Sequence, residues 1–315
     1  MPFKIGVFQE LRDNIVSGDP YQAHGWFIST RTRSCLCLIA ARPSKPLVKL
    51  DFIVTVDIVL NDTAWFSDVV LPEASYLERY DPLLPVGDKV FLRQPVIEPQ
   101  GEAKSALWIY KQLGERLGLG DFFQYEDEED YIRQLKPLGV TLEEVKAKGY
   151  AEAPEAAHSG EGSELTWNTP SGKIELFSDT LAKVGFSGVP TWIEPPQPAE
   201  DQFFLLTGKI ATSTQFGTQN NQLLHKYSEE PRMWMNAQTA AELGLATDDW
   251  VEVTSEVGQI HTQLLATQAI RPDCVYMTPG YGHLSKGLKT AYGVGASDSA
   301  LPVTYTGSHQ RRTSA

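Results

Sequence analysis

An apolar run that ends abruptly in polar residues constrains the fold of this chain more than any other stretch. Phe52 to Leu60 is rich in Val and Ile and is followed directly by Asn61-Asp62-Thr63. Such a run is typical of a buried strand in a parallel sheet, and Asn, Asp and Thr are typical of a helix N-cap or a ligand-contacting loop. Because ligands of open α/β sheets bind at the carboxyl ends of the strands, these polar residues are well placed to contact one. A buried strand and a helix cap with no ligand would give the same pattern.

The pattern of residues 1–150 predicts a partial Rossmann-like α/β domain. Short apolar runs predict strands, and apolar residues at helical spacing predict helices. The predicted strands are residues 4–8, 25–28 and 52–60, and a second short apolar run follows at residues 69–71. The predicted helices are residues 105–117, 127–136 and 141–148. Thr141 and Glu144 form a predicted capping box for the last helix. Residues 151–200 are rich in Pro, Gly, Ala and Glu, which predicts a long connection.

From residue 201 the pattern changes to short strands, which predicts a small β-rich barrel domain over residues 201–315. The predicted strands are residues 203–207, 250–254, 259–265 and 275–278, the middle two forming a hairpin about Glu256-Val257-Gly258. A short helix is predicted at residues 236–243, with Asn236 as its N-cap and Gly244 beyond its end.

The polar residues after the first apolar run belong to a longer motif. Asp57, Asn61 to Ala64 and Ser67 to Glu73 together resemble the signature of molybdopterin oxidoreductases of the dimethyl sulfoxide reductase superfamily. The usual form of that signature has Ala where this chain has Ser67. The following segment, Tyr76 to Asp81, is most similar to the thiosulfate, polysulfide and tetrathionate reductases, and arsenate reductases are close relatives.

The resemblance continues along most of the chain. Residues 93–118 resemble the linker and helix that follow the signature, and residues 169–175 resemble a family turn with the sequence PSGKIE. The region from Leu206 onward resembles the family's C-terminal molybdopterin dinucleotide-binding domain, which is a six-stranded double-psi barrel. Residues 295–298 are typical of the sulfur-compound reductases. The resemblance therefore implies an α/β part followed by a double-psi barrel.

The resemblance also implies a molybdenum centre held by two molybdopterin guanine dinucleotides, the bis-MGD cofactor. Guanine N–H groups need a carboxylate acceptor, and pyrophosphates need N–H groups, hydroxyls, amides or cations. By resemblance, Asp62 and Thr63 are expected to serve one guanine. The other expected cofactor-binding residues are Thr207, Gly208, Lys209, Asn220, Asn221, Asn236 and His283. Plainer roles are also open: a helix cap for Asn236, a solvated turn for Asn220 and Asn221, and a structural histidine at position 283.

The catalytic core of such an enzyme is not expected within this chain. Family members carry an N-terminal cysteine cluster for a 4Fe-4S centre, followed by a Cys, selenocysteine or Ser that ligates molybdenum, and none of the three cysteines here has a matching context. No catalytic or metal-ligating residue is therefore assigned. The implied partners are the N-terminal half of the catalytic subunit, an iron–sulfur electron-transfer subunit and a membrane anchor. Related enzymes reach the periplasm with a twin-arginine signal, which this chain does not show, so its location stays open.

Composition excludes some classes of function. The net charge of −13 argues against nucleic-acid binding, which requires a basic face. Three cysteines give no disulfide framework, and Cys35 and Cys37 have no second pair with which to form a metal site. Residues 31–45 depart from the family pattern, and our hypothesis is a local frame disturbance or divergence after loss of constraint.

Three interpretations follow. The first is the cofactor-binding C-terminal part of a molybdenum oxidoreductase that reduces thiosulfate, polysulfide or tetrathionate, with an arsenate reductase-type subunit as a variant. The second is a non-catalytic cofactor-binding fragment or pseudogene remnant, which the unusual segment 31–45 favours. The third is a double-psi barrel protein with unrelated enzymatic work, against which the match before residue 120 counts.

Overall fold

The computed structural model describes residues 14–29, 50–86, 88–134, 139–152, 167–192, 194, 197–214, 217–228, 230–256 and 258–301. The predicted strand at residues 4–8, and Cys35 and Cys37 with the rest of segment 31–45, lie outside these residues. The chain divides into two compact units. Unit 1 comprises residues 1–55, 59–70 and 191–315, and unit 2 comprises residues 56–58 and 71–190. These units are defined by which residues contact one another in the structure. They do not test the domain boundaries predicted from the sequence, which stay a prediction.

The signature motif forms a small sheet and one helical turn. Strands β1 (Gly25–Ser29), β2 (Phe52–Asp57) and β3 (Val69–Pro72) form a three-stranded sheet in that order. Helix α1 (Asp62–Trp65) follows β2. The prediction of a strand through residue 60 is wrong at its end, because β2 stops at Asp57 and residues 58–60 are exposed. The apolar run therefore continues for three residues beyond the end of the strand.

Unit 2 contains a second three-stranded sheet and, among the described residues, four α-helices. The sheet order is β4 (Leu84–Val86), β5 (Lys89–Phe91) and β6 (Tyr150–Glu152), all antiparallel. The helices are α2 (Ala106–Arg116), α3 (Glu128–Gln134), α4 (Leu142–Lys148) and α5 (Asp179–Lys183). The predicted capping box of α4 is confirmed, with both of its hydrogen bonds present. Within residues 151–200, which the sequence predicts as a long connection, Ser178 caps the short helix α5.

Unit 1 is built on a five-stranded mixed sheet with the order β7-β11-β8-β10-β9. The strands are β7 (Phe204–Thr207), β8 (Met233–Asn236), β9 (Trp250–Thr254), β10 (Gln259–Thr267) and β11 (Cys274–Met277), with short helices α6 (Gln222–His225) and α7 (Ala237–Glu242). The predicted hairpin is confirmed by the antiparallel register of β9 and β10. The main core of the unit lies on this sheet and includes Met233, Met235, Leu264, Val275 and Met277.

The pairing of the strands places particular loops at particular edges of this sheet. Strands β7 and β11 are parallel, with Thr207 opposite Met277. Their carboxyl ends therefore meet at one edge, where residues 207–209 and the segment from residue 278 onward begin. Strand β8 runs antiparallel to β11, so Asn236 lies at the opposite edge. The described strands form a mixed five-stranded sheet, and closure into a six-stranded barrel stays a prediction. In the described part of the chain, no helix combines the length and apolar character that crossing a membrane requires.

Candidate functional site

The polar residues after β2 are held in place by a short helix. Asn61 is the N-cap of α1, and its side-chain oxygen accepts a hydrogen bond from the backbone N–H of Ala64 at 3.0 Å. This cap satisfies one of the N–H groups that a helix start leaves without an intrahelical partner. The next two residues, Asp62 and Thr63, are each only 1% exposed. The sequence therefore predicted the helix start correctly, but these side chains point into the protein.

Asp62 is the centre of a cluster of buried polar groups, here called the Asp62 cluster. Its carboxylate accepts hydrogen bonds from His283 Nδ1 at 2.7 Å and from the backbone N–H groups of Leu284 at 2.8 Å and Ser285 at 2.7 Å. Ser285 Oγ donates in turn to the carbonyl oxygen of Leu60 at 2.6 Å. All five residues belong to unit 1. The cluster therefore joins chain segments more than 220 residues apart.

The charge state of Asp62 follows from these bonds. Burial alone raises the pKa of a carboxyl group, but the hydrogen bonds from His283 and from the backbone N–H groups of Ser285 and Leu284 outweigh burial and lower the pKa of Asp62 below its usual value. The side chain is therefore an anion at neutral pH. The Asp62 carboxylate already accepts hydrogen bonds from three protein donors. A guanine would have to compete with these bonds, and the predicted role of Asp62 as a guanine acceptor stays untested.

Thr63 differs from Asp62 in the bonding of its side chain. Thr63 Oγ1 is buried and makes no hydrogen bond within the described part of the chain. A buried hydroxyl without a partner costs free energy. Thr63 thus remains a candidate for contact with a bound group.

The edge formed by the carboxyl ends of β7 and β11 carries the predicted residues 207–209. Thr207 and Lys209 are exposed. The carbonyl oxygen of Gly208 accepts a hydrogen bond from Tyr276 Oη at 2.9 Å. A Cβ atom at Gly208 would lie 3.1 Å from Tyr276 Cε2, so the close approach of this ring favours glycine. The backbone is therefore fixed at this edge, and the Lys209 ammonium group remains at the surface.

The predicted amides at 220 and 221 lie beside the same edge. Asn220 Oδ1 accepts from the backbone N–H groups of Thr290 at 2.9 Å and Ala291 at 3.4 Å. Asn221 caps α6. The neighbouring Gln219 is buried, and its Nε2 donates to the carbonyl oxygen of Pro279 at 3.4 Å. The loop 217–221 is thus bound to the segment 279–291, which brings Asn220, Asn221 and His283 into one region of unit 1.

Asn236 is the predicted residue that the structure does not bring to this region. It lies at the opposite edge of the five-stranded sheet and caps α7 by accepting from the backbone N–H groups of Gln238 and Thr239. Its Nδ2 donates to the carbonyl oxygen of Ile270 at 2.9 Å. The side chain is buried, and all of these bonds are structural. Its predicted role in cofactor binding stays untested and has no geometric support.

Sequence reasoning missed two polar side chains close to this region. Ser297 Oγ and Asp298 Oδ1 are buried and lack a partner among the described residues. Burial raises the pKa of Asp298, although the backbone N–H groups of Gly280 and Ser299 oppose the increase. The sequence of segment 295–298 is typical of sulfur-compound reductases, but nothing in it indicates burial. Among the residues that the structure describes, no three His, Cys, Asp or Glu side chains are grouped as metal ligands.

Comparison with protein-family models gives two matches. Residues 24–116 match the family described as molybdopterin oxidoreductase. Residues 203–307 match the molydopterin dinucleotide binding domain. The first match contains the signature motif, and the second contains the five-stranded sheet and the loops at its edge. The Asp62 cluster therefore contains residues from both matched regions.

Individual relatives agree with these matches. The chain is 32% identical to the thiosulfate reductase molybdopterin-containing subunit PhsA of Salmonella typhimurium, over 91% of this chain and 41% of the relative. It is 28% identical to the acetylene hydratase of Syntrophotalea acetylenica, over 75% of this chain and 34% of the relative. The chain thus spans about a third to two fifths of the length of these curated relatives.

A solved structure supports the fold. The acetylene hydratase from Pelobacter acetylenicus superposes with a TM-score of 0.75 over 93% of this chain and 42% of that structure. The sequences are 22% identical. This likeness therefore concerns the fold alone.

Proposed function

This chain belongs to the molybdopterin oxidoreductase family, and we propose that it forms the cofactor-binding part of an enzyme that reduces thiosulfate, polysulfide or tetrathionate. The observation that carries the proposal is the similarity to a thiosulfate reductase subunit over 91% of the chain. A second support is the resemblance of residues 76–81 and 295–298 to sulfur-compound reductases. The specific sulfur substrate belongs to the proposal.

The residues of unit 1 fit a molybdopterin dinucleotide by their chemistry. Such a group carries phosphates, which need cations and N–H donors, and nitrogen-rich rings, which need both donors and acceptors. Lys209, Lys286 and Lys289 are exposed and have no partner among the described residues. In the part of the chain that the structure describes, the side chain of Asn220 is bonded only through its oxygen, so its amide nitrogen is available. The hydroxyl of Thr63, which has no partner there either, suits either donation or acceptance.

In this proposal the chain binds and orients the cofactor. The bound molybdenum group supplies two-electron transfer to the sulfur compound. Lys209, Lys286 and Lys289 neutralise phosphate charge, while the hydrogen bond from Tyr276 fixes the backbone at Gly208. The guanine form of the dinucleotide and the closure of the five-stranded sheet into a double-psi barrel are parts of the same proposal.

The partners are proposed by analogy with the family. They are the N-terminal half of the catalytic subunit with its 4Fe-4S centre, an iron–sulfur electron-transfer subunit and a membrane anchor, with the periplasm as the location. Exposed apolar side chains at the β2–β3 part of the fold, such as Phe52, Val69 and Val70, agree with a further protein surface there.

Cofactor content and activity test the proposal separately. The chain would be produced in cells that make molybdopterin, and molybdenum would be measured by mass spectrometry and pterin by the fluorescence of its oxidised product. We expect both in the purified protein, and less of both in Lys209→Gln. The matched control is Lys183→Gln, which removes an exposed lysine from unit 2. A wild-type protein without pterin would contradict cofactor binding.

Activity distinguishes the substrates. The chain would be combined with the N-terminal half of a related catalytic subunit, and the oxidation of reduced benzyl viologen would be followed with thiosulfate, tetrathionate, polysulfide or arsenate. Turnover with a sulfur compound is the expected result. Turnover with arsenate alone, at equal cofactor content, would contradict the proposed substrate class and leave cofactor binding intact.

A further inference from the structure

We propose that unit 2 binds a small amphiphilic carboxylate, a molecule in which an apolar chain or ring carries one carboxylate group. The site is a cleft between the end of β3 and helix α2, here called the α2 cleft. It has a volume of about 260 Å³, and all of its lining residues belong to unit 2. Small-molecule sites usually have volumes of about 300–1,000 Å³, so a cleft of this size suits a small ligand.

The walls of the α2 cleft are apolar. One wall is the end of β3, and the other is a face of α2 on which residues three and four positions apart are neighbours. Residues 108–116 of α2 span about 12 Å, so the cleft extends along two turns of the helix. An apolar group bound there would remove these side chains from water, which is favourable. The apolar lining residues are Leu71, Pro72, Trp108, Ile109 and Leu113.

Arg116 brings a fixed guanidinium group to the lining of the cleft. Its Nη1 donates to the carbonyl oxygen and to Oε1 of Gln112, both at 2.8 Å. The Nε and Nη2 atoms of Arg116 have no partner among the described residues. The N–H groups on these two atoms lie along one edge of the guanidinium plane, and their spacing matches the two oxygens of a carboxylate. Arg116 is therefore held through one nitrogen and keeps a carboxylate-binding edge for a ligand.

Lys104 adds a second cation to the lining. Its backbone is fixed at the end of β3, since its N–H donates to the carbonyl oxygen of Pro72 at 3.2 Å and its own carbonyl oxygen accepts from Ala74 at 2.8 Å. Its Nζ lies 5.7 Å from the ring centroid of Trp108 and has no carboxylate partner in the described part of the chain. Glu102 supplies one carboxylate to the lining. Two cations and one carboxylate make the lining positive in a chain of net charge −13, which favours an anionic ligand.

The apolar walls and the free edge of Arg116 together select the class of ligand. A neutral apolar molecule would leave the Arg116 edge to water. A small inorganic anion would leave the walls exposed to water. A carboxylate with an apolar body uses both features, because its body covers the walls while its oxygens accept from Arg116.

Titration of the full chain with octanoate tests the proposal, with the ¹³C-labelled methyl groups of Ile and Leu followed by NMR. We expect saturable shifts of the methyl signals of Leu71, Ile109 and Leu113, and no shift of Leu264 in the core of unit 1. Octanamide and octylamine have the same chain length but are neutral and cationic, so both should bind more weakly than octanoate. Octylamine that binds as tightly as octanoate, or shifts spread over both units, would overturn the proposal.

Substitution of Arg116 tests the carboxylate contact. We expect Arg116→Gln to raise the Kd for octanoate about 3- to 10-fold, the effect of a charge-assisted bond lost at an exposed site. Arg116→Lys keeps the charge but loses the paired N–H groups, so its Kd should lie between those of Arg116→Gln and wild type. An unchanged Kd in Arg116→Gln would mean that octanoate binds through its chain alone, and the proposal would be wrong.

The matched control for the charge is Lys148→Gln, which removes an exposed cation from α4 of the same unit. Its Kd for octanoate should equal that of wild type. A loss of affinity as large as in Arg116→Gln would attribute the effect to net charge and contradict a specific contact.

Leu113→Trp tests the apolar walls independently of the charge. The larger side chain would occupy part of the cleft, so octanoate should no longer bind, while the thermal unfolding midpoint stays within a few degrees of wild type. A folded variant with full affinity would show that the ligand lies elsewhere. If the variant does not fold, the Arg116 series decides the question.

The last arm repeats the octanoate titration with the chain combined with the N-terminal half of a related catalytic subunit. Octanoate should bind this complex with the Kd of the chain alone. If binding is lost in the complex, the α2 cleft is a contact between polypeptides, and its assignment as a carboxylate site is wrong.

Discussion

Ser67 shows how a single hydroxyl links several parts of the signature motif. Ser67 Oγ donates to the carbonyl oxygen of Thr63 at 2.9 Å and lies 2.6 Å from Thr55 Oγ1. Thr55 is fully buried. We expect Ser67→Ala, the residue usual in the resembling signature, to lower the free energy of unfolding by about 1–3 kcal/mol, because it leaves the Thr55 hydroxyl buried without a partner. Chemical denaturation measures this change.

The control for Ser67→Ala is the double variant Thr55→Val with Ser67→Ala. Replacing both partners by apolar groups of similar shape is close to neutral, so the double variant should recover most of the lost free energy. A double variant as unstable as the single one would show that the bond to Thr55 is not the cause.

The charge of Asp62 makes a contribution to stability that depends on pH. Its pKa in the folded protein lies below the usual value of 3.8. Stabilisation by such a group is complete above the pKa of the unfolded chain and is lost as the pH falls through the lower folded pKa. The unfolding midpoint of wild type should therefore exceed that of Asp62→Asn at pH 7, and the difference should shrink below about pH 4. A difference that stays constant from pH 7 to pH 3 would contradict this.

The structural partners of Asp62 could not be predicted from the sequence. The polar triplet after β2 and His283, which follows Gly282, are each candidates on sequence grounds. Their contact across 221 positions depends on tertiary packing. The sequence pattern predicts the helix cap at Asn61, because a cap depends only on neighbouring residues. The pattern does not show that the Asp62 carboxylate accepts hydrogen bonds from other parts of the chain.

At the scale of elements, substitution of Asn236 can distinguish a helix-capping role from a contact with the cofactor. It caps α7 and also donates to the carbonyl oxygen of Ile270. We expect Asn236→Ala to lower the free energy of unfolding by about 1–3 kcal/mol, from the lost cap and the buried groups left unpaired. The cofactor content per folded molecule should be unchanged, because Asn236 lies at the sheet edge opposite Lys209.

Asn236→Ser is the matched control for this prediction. Its hydroxyl oxygen can still accept from the N–H groups of Gln238 and Thr239 as an N-cap, while the shorter side chain gives up the bond to the carbonyl oxygen of Ile270. Its stability should lie between those of wild type and Asn236→Ala. A selective loss of pterin in either variant, at an unchanged unfolding midpoint, would restore the role that the family resemblance gave to Asn236.

The sequence predicts best those helices and strands whose ends are determined by neighbouring residues. Helix α4 has its capping box at Thr141 and Glu144, and Gly149 follows it with a φ of +78°. Strand β2 was predicted too long because residues 58–60 continue the apolar run although the strand ends at Asp57. Helix α5 was missed because the Pro- and Gly-rich composition around it outweighed the N-cap signal of Ser178.

At the scale of the whole molecule, the sequence indicated an α/β part and a β-rich part but not how distant segments combine. Unit 1 takes residues 59–70 from the signature motif and combines them with residues 191–315. No periodicity in the sequence indicates that residues 59–70 belong with residues 191–315. Their association depends on the Asp62 cluster and on packing such as that of Gly287 against Leu60. A boundary drawn where composition changes cannot show such a combination.

The division into units leads to a prediction about where a bound cofactor stabilises the protein. A ligand that binds only the folded state protects the region that it contacts and the cooperative unit that carries the region. Hydrogen exchange, measured by mass spectrometry, would compare protein from cells that make molybdopterin with protein from cells that cannot. We expect slower exchange in residues 207–221 and 279–293 of the loaded protein, and unchanged exchange in α4 of unit 2. Equal protection of both units, or protection confined to α4, would contradict the placement of the cofactor on unit 1.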